Sequence, residues 1–146
     1  MDPKDQKILE ALLEDGRKSV VEISDELGLP RATVQERLKK MLRSGVIRKF
    51  AAIPDYGKIG KQVTAFIFVN FTSGGNVSQR HLAENISKIP GVYEVSVISG
   101  EWDILLKVRA GSAEEIGALV VDRLRATKGI EKTETSVVFQ TISESI

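Results

Sequence analysis

Seven Lys or Arg side chains and a single acid, Glu36, fall within residues 31–49, and their order suggests a division of labour. Arg31, Ala32, Thr33, Gln35 and Glu36 come first and form a set that can face base edges. Arg forks onto guanine, Gln onto adenine, and Thr touches the thymine methyl. Arg37, Lys39, Lys40 and Arg43 follow, and cations further along such a helix hold phosphates, setting affinity more than sequence preference. Arg17 lies upstream as a further phosphate contact. The chemistry implied is binding to double-stranded DNA.

These side chains need a helix held at an angle to a second one, and residues 20–38 supply the pattern. Ile23 and Leu27 share one face of a first short helix, and Val34 and Leu38 share one face of a second. Gly28 falls where the chain must turn, and Leu29 plugs the angle between the helices. Upstream, Asp2 is the expected N-cap of a helix with Pro3 in its first position and Ile8, Leu9, Leu12 and Leu13 at helical spacing, ended by Gly16. The expected helices run near 3–15, 20–27 and 31–44. Residues 46–53 read as a connecting strand, the wing of a winged helix-turn-helix domain over 1–53, and 54–60 reads as a hinge.

Residues 61–146 read differently. Strands are expected at 61–72, 92–99, 103–110 and 130–143, with helices at 78–89 and 112–127. The helix-glycine-strand passage occurs twice, and Ser112 with Glu115 makes a capping box. The order β-α-β-β-α-β is the ferredoxin-like arrangement, which makes the whole chain α+β. In the first strand Ala65, Ile67 and Val69 point one way while Phe66 and Phe68 point the other. Two helices cover only one face of a four-stranded sheet, so the second apolar face favours a partner subunit, a homodimer at least.

Other sites offer less. The Gly100-Glu101-Trp102-Asp103 sequence reads as a hairpin turn, with Trp102 able to serve as core, interface anchor or ligand wall. The glycine-containing loop 73–76 lacks the lysine and spacing of a phosphate cradle and reads as a flexible connection. With no cysteine and one histidine, His81, neither a disulfide nor a metal cluster is expected, and no cofactor. A small dimeric enzyme using His81 or Asp103 as base is the alternative from another class, and it lacks a positioned nucleophile. No apolar run approaches the ~20 residues that span a bilayer, and no signal segment follows the start, so a cytoplasmic protein without membrane association is expected. Net charge is +2 over 1–53 and −1 over 54–146, which sets the cationic segment apart.

Taken together, these residues resemble the leucine-responsive regulatory protein and asparagine regulator (Lrp/AsnC, or feast/famine) family over nearly the whole length. Asp5, Ile8, Leu9 and Arg17 match its N-terminal helix, and Gly28, Leu29, Val34, Arg37, Leu38, Gly45, Val46 and Ile47 match its helix-turn-helix and connecting strand. Residues 89–110 and 129–142 look like its C-terminal ligand-sensing domain. Pro30 departs from the usual capping Ser, which implies a helix that starts with proline in its first turn; Ser24 stands for a small Ala and Leu42 for a Glu. The resemblance implies a sequence-specific transcription regulator, not an enzyme, whose dimers close into tetramers or octamers. It also implies a free amino acid as effector, bound between dimers near Gly100, Trp102 and Asp103, with Thr133, Thr135 and Ser136 from the last strand. Asp103 would accept from the α-ammonium and the hydroxyls would meet a carboxylate or polar side chain. An architectural DNA-binding protein with little sequence choice is the other reading that keeps the DNA.

Overall fold

The computed structural model describes residues 1–72 and 77–144, so the connection over 73–76 lies outside the described residues. The chain divides into two compact units, Met1–Ile53 and Pro54–Ile146.

In the first unit α1 spans Pro3–Glu14, α2 Val20–Leu27 and α3 Arg31–Arg43. Each of the first two begins with a reciprocal cap. The Asp2 carboxylate accepts from the Lys4 and Asp5 amides at 2.9 and 3.0 Å, and Asp5 accepts in return from the Asp2 amide at 3.0 Å. Ser19 accepts from the Glu22 amide while Glu22 accepts from the Ser19 amide. These bonds satisfy first-turn donors that no helical carbonyl can reach. Gly28 closes α2 in the left-handed region, φ +61°, and Ser24 Oγ, buried beneath the turn, donates to the Leu29 carbonyl at 2.5 Å. Ile8, Ala11, Leu12, Ile23, Val34, Met41 and Ile47 form the core, with Leu27, Leu29 and Leu38 packed against it.

Two features of the first unit differ from the sequence reading. Pro30 stands at the N-cap of α3 rather than inside its first turn, with ψ 138° and no side-chain cap, because it has no hydroxyl to give. Residues 46–53 form no strand in the single chain: Ile47 is buried and its amide donates to Met41, while Val46, Phe50 and Ile53 are exposed. A strand needs a neighbour for its backbone groups, and the single chain provides none here. Residues 56–60, within the expected hinge, form a hydrogen-bonded turn in which the Lys61 amide donates to the Tyr56 carbonyl at 2.8 Å.

The second unit carries β1 (Val63–Phe71), α4 (Gln79–Ile86), β2 (Val92–Val97), β3 (Ile104–Ala110), α5 (Ala113–Ala118) and β4 (Ile130–Val137). The strands form one antiparallel sheet in the order β2-β3-β1-β4. Ala65, Ile67 and Val69 stand opposite Val108, Leu106 and Ile104, and all six are buried beneath Leu82 and Ile86 of α4 and Ile116 of α5. Beyond α5 the chain does not continue as the regular helix expected over 112–127. Leu119–Leu124 widens into a π-helical turn, closed by the Arg125 amide on the Val120 carbonyl at 2.9 Å. The wide turn keeps Leu119 and Leu124 both in the core, where five residues of regular helix would rotate the second about 140° away. β4 ends at Val137, opposite Ala65, rather than at 143, with the Val138 amide still donating to the Thr64 carbonyl at 2.9 Å.

The sheet's other face keeps Phe66, Phe68 and Leu105 half-buried and draws Arg109 in with them. The Arg109 guanidinium lies 3.7 Å from the centroid of the Tyr56 ring and donates to both carboxylate oxygens of Glu144, at 2.7 and 3.0 Å. Lys107 also bonds Glu144, and Lys107 first, then Arg109, holds that carboxyl below the usual range. A nearly buried cation requires this pairing and stacking to offset its lost hydration.

An alanine Cβ at Gly28 would meet nothing within 4 Å, so only the left-handed backbone resists it. Gly28→Ala is expected to destabilise the first unit by about 1–2 kcal/mol in urea titration, with Gly28→Asn milder. An unchanged midpoint would mean that the turn takes another path.

Candidate functional site

α3 presents two adjacent rows to solvent. Arg31, Gln35 and Lys39 lie four residues apart along one row, and Ala32, Glu36, Lys40 and Arg43 along the next, all exposed; Thr33, on the far side of the second row, is half-buried. Val34 and Met41 hold the opposite face in the core. Among the described residues Arg31, Lys39, Lys40 and Arg43 belong to no ion pair, so their charges are available to an external anion. Arg17, ahead of α2, is also exposed. Because Pro30 gives no side-chain cap, the positive end of α3 adds its uncapped amides to this surface.

Arg37 departs from the phosphate-contact role expected of it. Its guanidinium bonds Asp2 and donates to Asp5 at 2.7 Å, so both its charge and its geometry are committed to tying α3 to α1. Arg37 holds the Asp2 carboxyl down to about 2, helped by the Asp5 amide bond, and Asp5 is lowered by the Asp2 amide and then by Arg37. The two carboxylates in turn raise the Arg37 guanidinium. Asp5 is 2% exposed; the sequence reading matches it to the family's N-terminal helix but gives it no role as the partner of Arg37. The signal was there: Asp5 shares the phase of Ile8 and Leu12 on the buried face of α1, and a carboxylate on a buried stripe requires a cation opposite.

The turn between β2 and β3 is tied down from several sides. Trp102 is half-buried against Phe68, ring centroids 5.8 Å apart, with Lys132 Nζ 5.0 Å from the indole centroid; Gly100 is exposed beside it. Asp103 does not stand free as an ammonium acceptor. Its Oδ2 accepts from the Phe71 amide at 2.8 Å and from Asn70 Nδ2 at 3.5 Å, which leaves Oδ1 for another donor. Asn70 also donates to the Glu101 carbonyl at 2.8 Å, and Gln79 to the Asp103 carbonyl at 3.2 Å.

The expected hydroxyl trio is split by strand alternation. Thr133 and Thr135 stand opposite Val69 and Ile67 and so share the helix-covered side, whereas Ser136 stands opposite Phe66 on the other. Trp102 stacks on Phe68, on the side of Ser136, so one pocket within the chain cannot gather all three hydroxyls. Lys132, Phe68 and Asn70 border the turn instead, and only the register reveals them. As for the enzyme alternative, His81 is exposed with Glu84 3.9 Å from its Nδ1, and Asp103 serves the turn. Among the described residues no cluster of His, Asp and Glu could hold a metal, and no helix is long and apolar enough to cross a membrane.

Residues 64–146 match the model of the Lrp/AsnC ligand binding domain, and residues 1–48 that of a winged helix-turn-helix DNA-binding domain. The chain is 45% identical over 146 residues to a helix-turn-helix-type transcriptional regulator of Pyrococcus furiosus, covering 100% of this chain and 97% of the relative. It is 35% identical to the transcriptional regulator FL11 of Pyrococcus horikoshii, covering 99% and 93%. Among solved structures it is similar to a Neisseria meningitidis transcriptional regulator in complex with L-Met, at TM-score 0.92 and 28% identity over 99% of this chain and 94% of that one. An AsnC family regulator of Agrobacterium tumefaciens follows at TM-score 0.91 and 29% identity, with the same coverage.

The Arg37 clamp gives the first unit an acid limit. A carboxylate whose folded pKa is depressed stabilises fully above its unfolded value of about 4, and for Asp2 that contribution is lost as pH falls through about 2, with Asp5 shifted in the same direction. Unfolding followed at the Ile8 and Ile23 methyls by NMR is expected to show a midpoint that drops between these limits, and Arg37→Met should lower it at pH 7 and flatten the drop. Equal acid slopes in the two proteins would show that the clamp carries no stability.

Proposed function

Belonging to the Lrp/AsnC family, the chain is a transcriptional regulator with a helix-turn-helix DNA-binding domain and an Lrp/AsnC ligand-binding domain, and we propose that it reads a specific operator as a dimer or larger assembly tuned by an amino acid. The observation that carries the DNA reading is the exposed face of α3, where cations free of internal partners accompany Gln35 and Thr33 on a helix fixed from behind. In this reading Arg31, Ala32, Thr33, Gln35 and Glu36 face bases. Lys39, Lys40, Arg43 and Arg17 hold phosphates, and Arg37 positions the helix. Two copies set the recognition helices about 34 Å apart, in successive major grooves of one duplex face. Residues 1–53 are then the DNA-binding domain, 54–60 the connection and 61–146 the effector and assembly domain, acting in the cytoplasm where the DNA is.

Assembly is supported by the sheet face that α4 and α5 leave uncovered, by the free outer edge of β4, and by exposed Val46, Phe50 and Ile53 in a segment that lacks a strand partner. The effector reading rests on the family's ligand-binding domain and on the L-Met held by the Neisseria relative. The turn with Gly100, Trp102 and Asp103 is its proposed seat. Ser136 lies on the same side as Trp102, and Thr133 and Thr135 reach an effector only from a different copy. An effector shifts the assembly only by as much as its affinities for two states differ. Regulation is the whole activity in this reading, with no catalysis.

Arg31→Ala or Gln35→Ala is expected to cost about 1–3 kcal/mol on the operator and to relax preference at the base contacted. Lys39→Ala or Lys40→Ala should weaken all duplexes alike and reduce the salt slope by about 1. Fluorescence anisotropy with competitor duplexes reads both effects; equal competition by unrelated DNA would point to an architectural protein instead. Titration with amino acids, L-methionine first, is expected to change Trp102 emission, and Asp103→Ala to abolish the change. Silence from all twenty would remove the sensing role.

A further inference from the structure

The sheet ends at β4, and among the described residues no strand lies along its outer side. The Val138 amide donates to the Thr64 carbonyl at 2.9 Å, which fixes the direction of the backbone groups before it. By alternation those of Ser136, Glu134 and Lys132 face β1, and those of Thr133, Thr135 and Val137 face outward. A bulge opposite Asn70 and Phe71 leaves Glu131 as the extra residue and ends the regular ladder there. An outer edge of this kind holds unpaired donors and acceptors that a further strand can use.

The side chains on this edge carry a pattern. Lys132 and Glu134 stand opposite Asn70 and Phe68 on the face that the helices leave uncovered, and both are exposed. Among the described residues neither belongs to an ion pair; Lys132 has only the Trp102 indole beside it. Opposite charges two residues apart on one strand cannot meet each other, but they complement a reversed copy of themselves. When two identical edges pair antiparallel about a twofold axis, outward residues stand against outward residues and the axis passes through one residue pair. With the axis at Lys132 or at Glu134, like charges are set face to face, which is destabilising. With the axis at Thr135, Glu134 meets Ser136 and Lys132 finds no acid. With the axis at Thr133, each Lys132 meets Glu134 of the second copy, and Thr135 meets Glu131. Within Ile130–Val137 only that register answers both charges.

We propose that two copies of the chain join edge to edge through β4, antiparallel, with Thr133 on the twofold axis. This inference rests on the assembly proposed above and names one contact in it, separate from the uncovered sheet face. Lys132 and Glu134 occupy non-hydrogen-bonded positions of the new ladder, with Cα atoms about 4.5 Å apart, so two close charge pairs flank the axis. The axis stands perpendicular to the sheet. The helices of both copies therefore cover one side of a continuous sheet, and Phe66 and Phe68 of both lie on the other.

The test uses the full-length protein, whose lack of cysteine lets a single introduced thiol report the register. Residues paired with themselves across the axis have Cα atoms about 5.5 Å apart, within disulfide range, whereas the two copies of Thr135 lie about 14 Å apart. Under mild oxidation Thr133→Cys is expected to give a covalent dimer on a non-reducing gel and Thr135→Cys none. In sedimentation equilibrium Lys132→Glu and Glu134→Lys should each weaken association about tenfold, and the two together should restore it. Assembly that persists while Thr133→Cys stays uncrosslinked, or Thr135→Cys crosslinking as readily, would overturn this edge contact and leave the assembly reading standing. So would association indifferent to both charge reversals. A protein that sediments as a monomer at every concentration would remove both.

Discussion

The second unit has a four-stranded sheet with apolar residues on both sides and two helices, enough for one side. Alternation along β1 makes the consequence unavoidable: burying Ala65, Ile67 and Val69 beneath α4 and α5 turns Phe66 and Phe68 to the opposite face. Much of the unit follows from how that second face is handled. Trp102 leans on Phe68 and so fixes the turn before β3. Arg109 is drawn in, stacked on Tyr56 and bonded to Glu144, so three distant stretches of chain converge on one guanidinium. The face stays half-buried, with apolar surface of Phe66, Phe68 and Leu105 still in water.

The first unit meets a comparable constraint with a charge. A recognition helix must be exposed along one side yet held rigidly, and α3 has little buried besides Val34 and Met41. Arg37 supplies the missing restraint by reaching back to Asp2 and Asp5 at the start of α1. The same Asp2 carboxylate that caps α1 therefore also orients α3. A cation that composition would assign to DNA is spent internally, and the remaining cations keep to the exposed rows.

Much of this was open to reading. The three N-terminal helices, their glycine turn and the β-α-β-β-α-β order follow from apolar period and punctuation, and the chain resembles the family it belongs to. What escaped reading has one cause in each case: the deciding partner is distant in sequence. The widening after α5 is set by the sheet that Leu119 and Leu124 must both reach. Residues 46–53 have a strand's composition and no strand's geometry, because among the described residues no strand lies against them. The division of Thr133 and Thr135 from Ser136 needs the register against β1, which no run of eight residues contains.

The local code thus determined which segments are helix or strand, where the chain turns, and which helix is cationic, since those depend on backbone preference and on periodicity within a few residues. Tertiary structure alone decided which charges are free. Arg37 and Lys39 look alike in the sequence of α3, and only the approach of Asp5, thirty-two residues away, separates a structural clamp from a side chain left to meet an external partner. Coulombic and hydrogen-bonding partners are chosen by distance in space, and chain order does not record it.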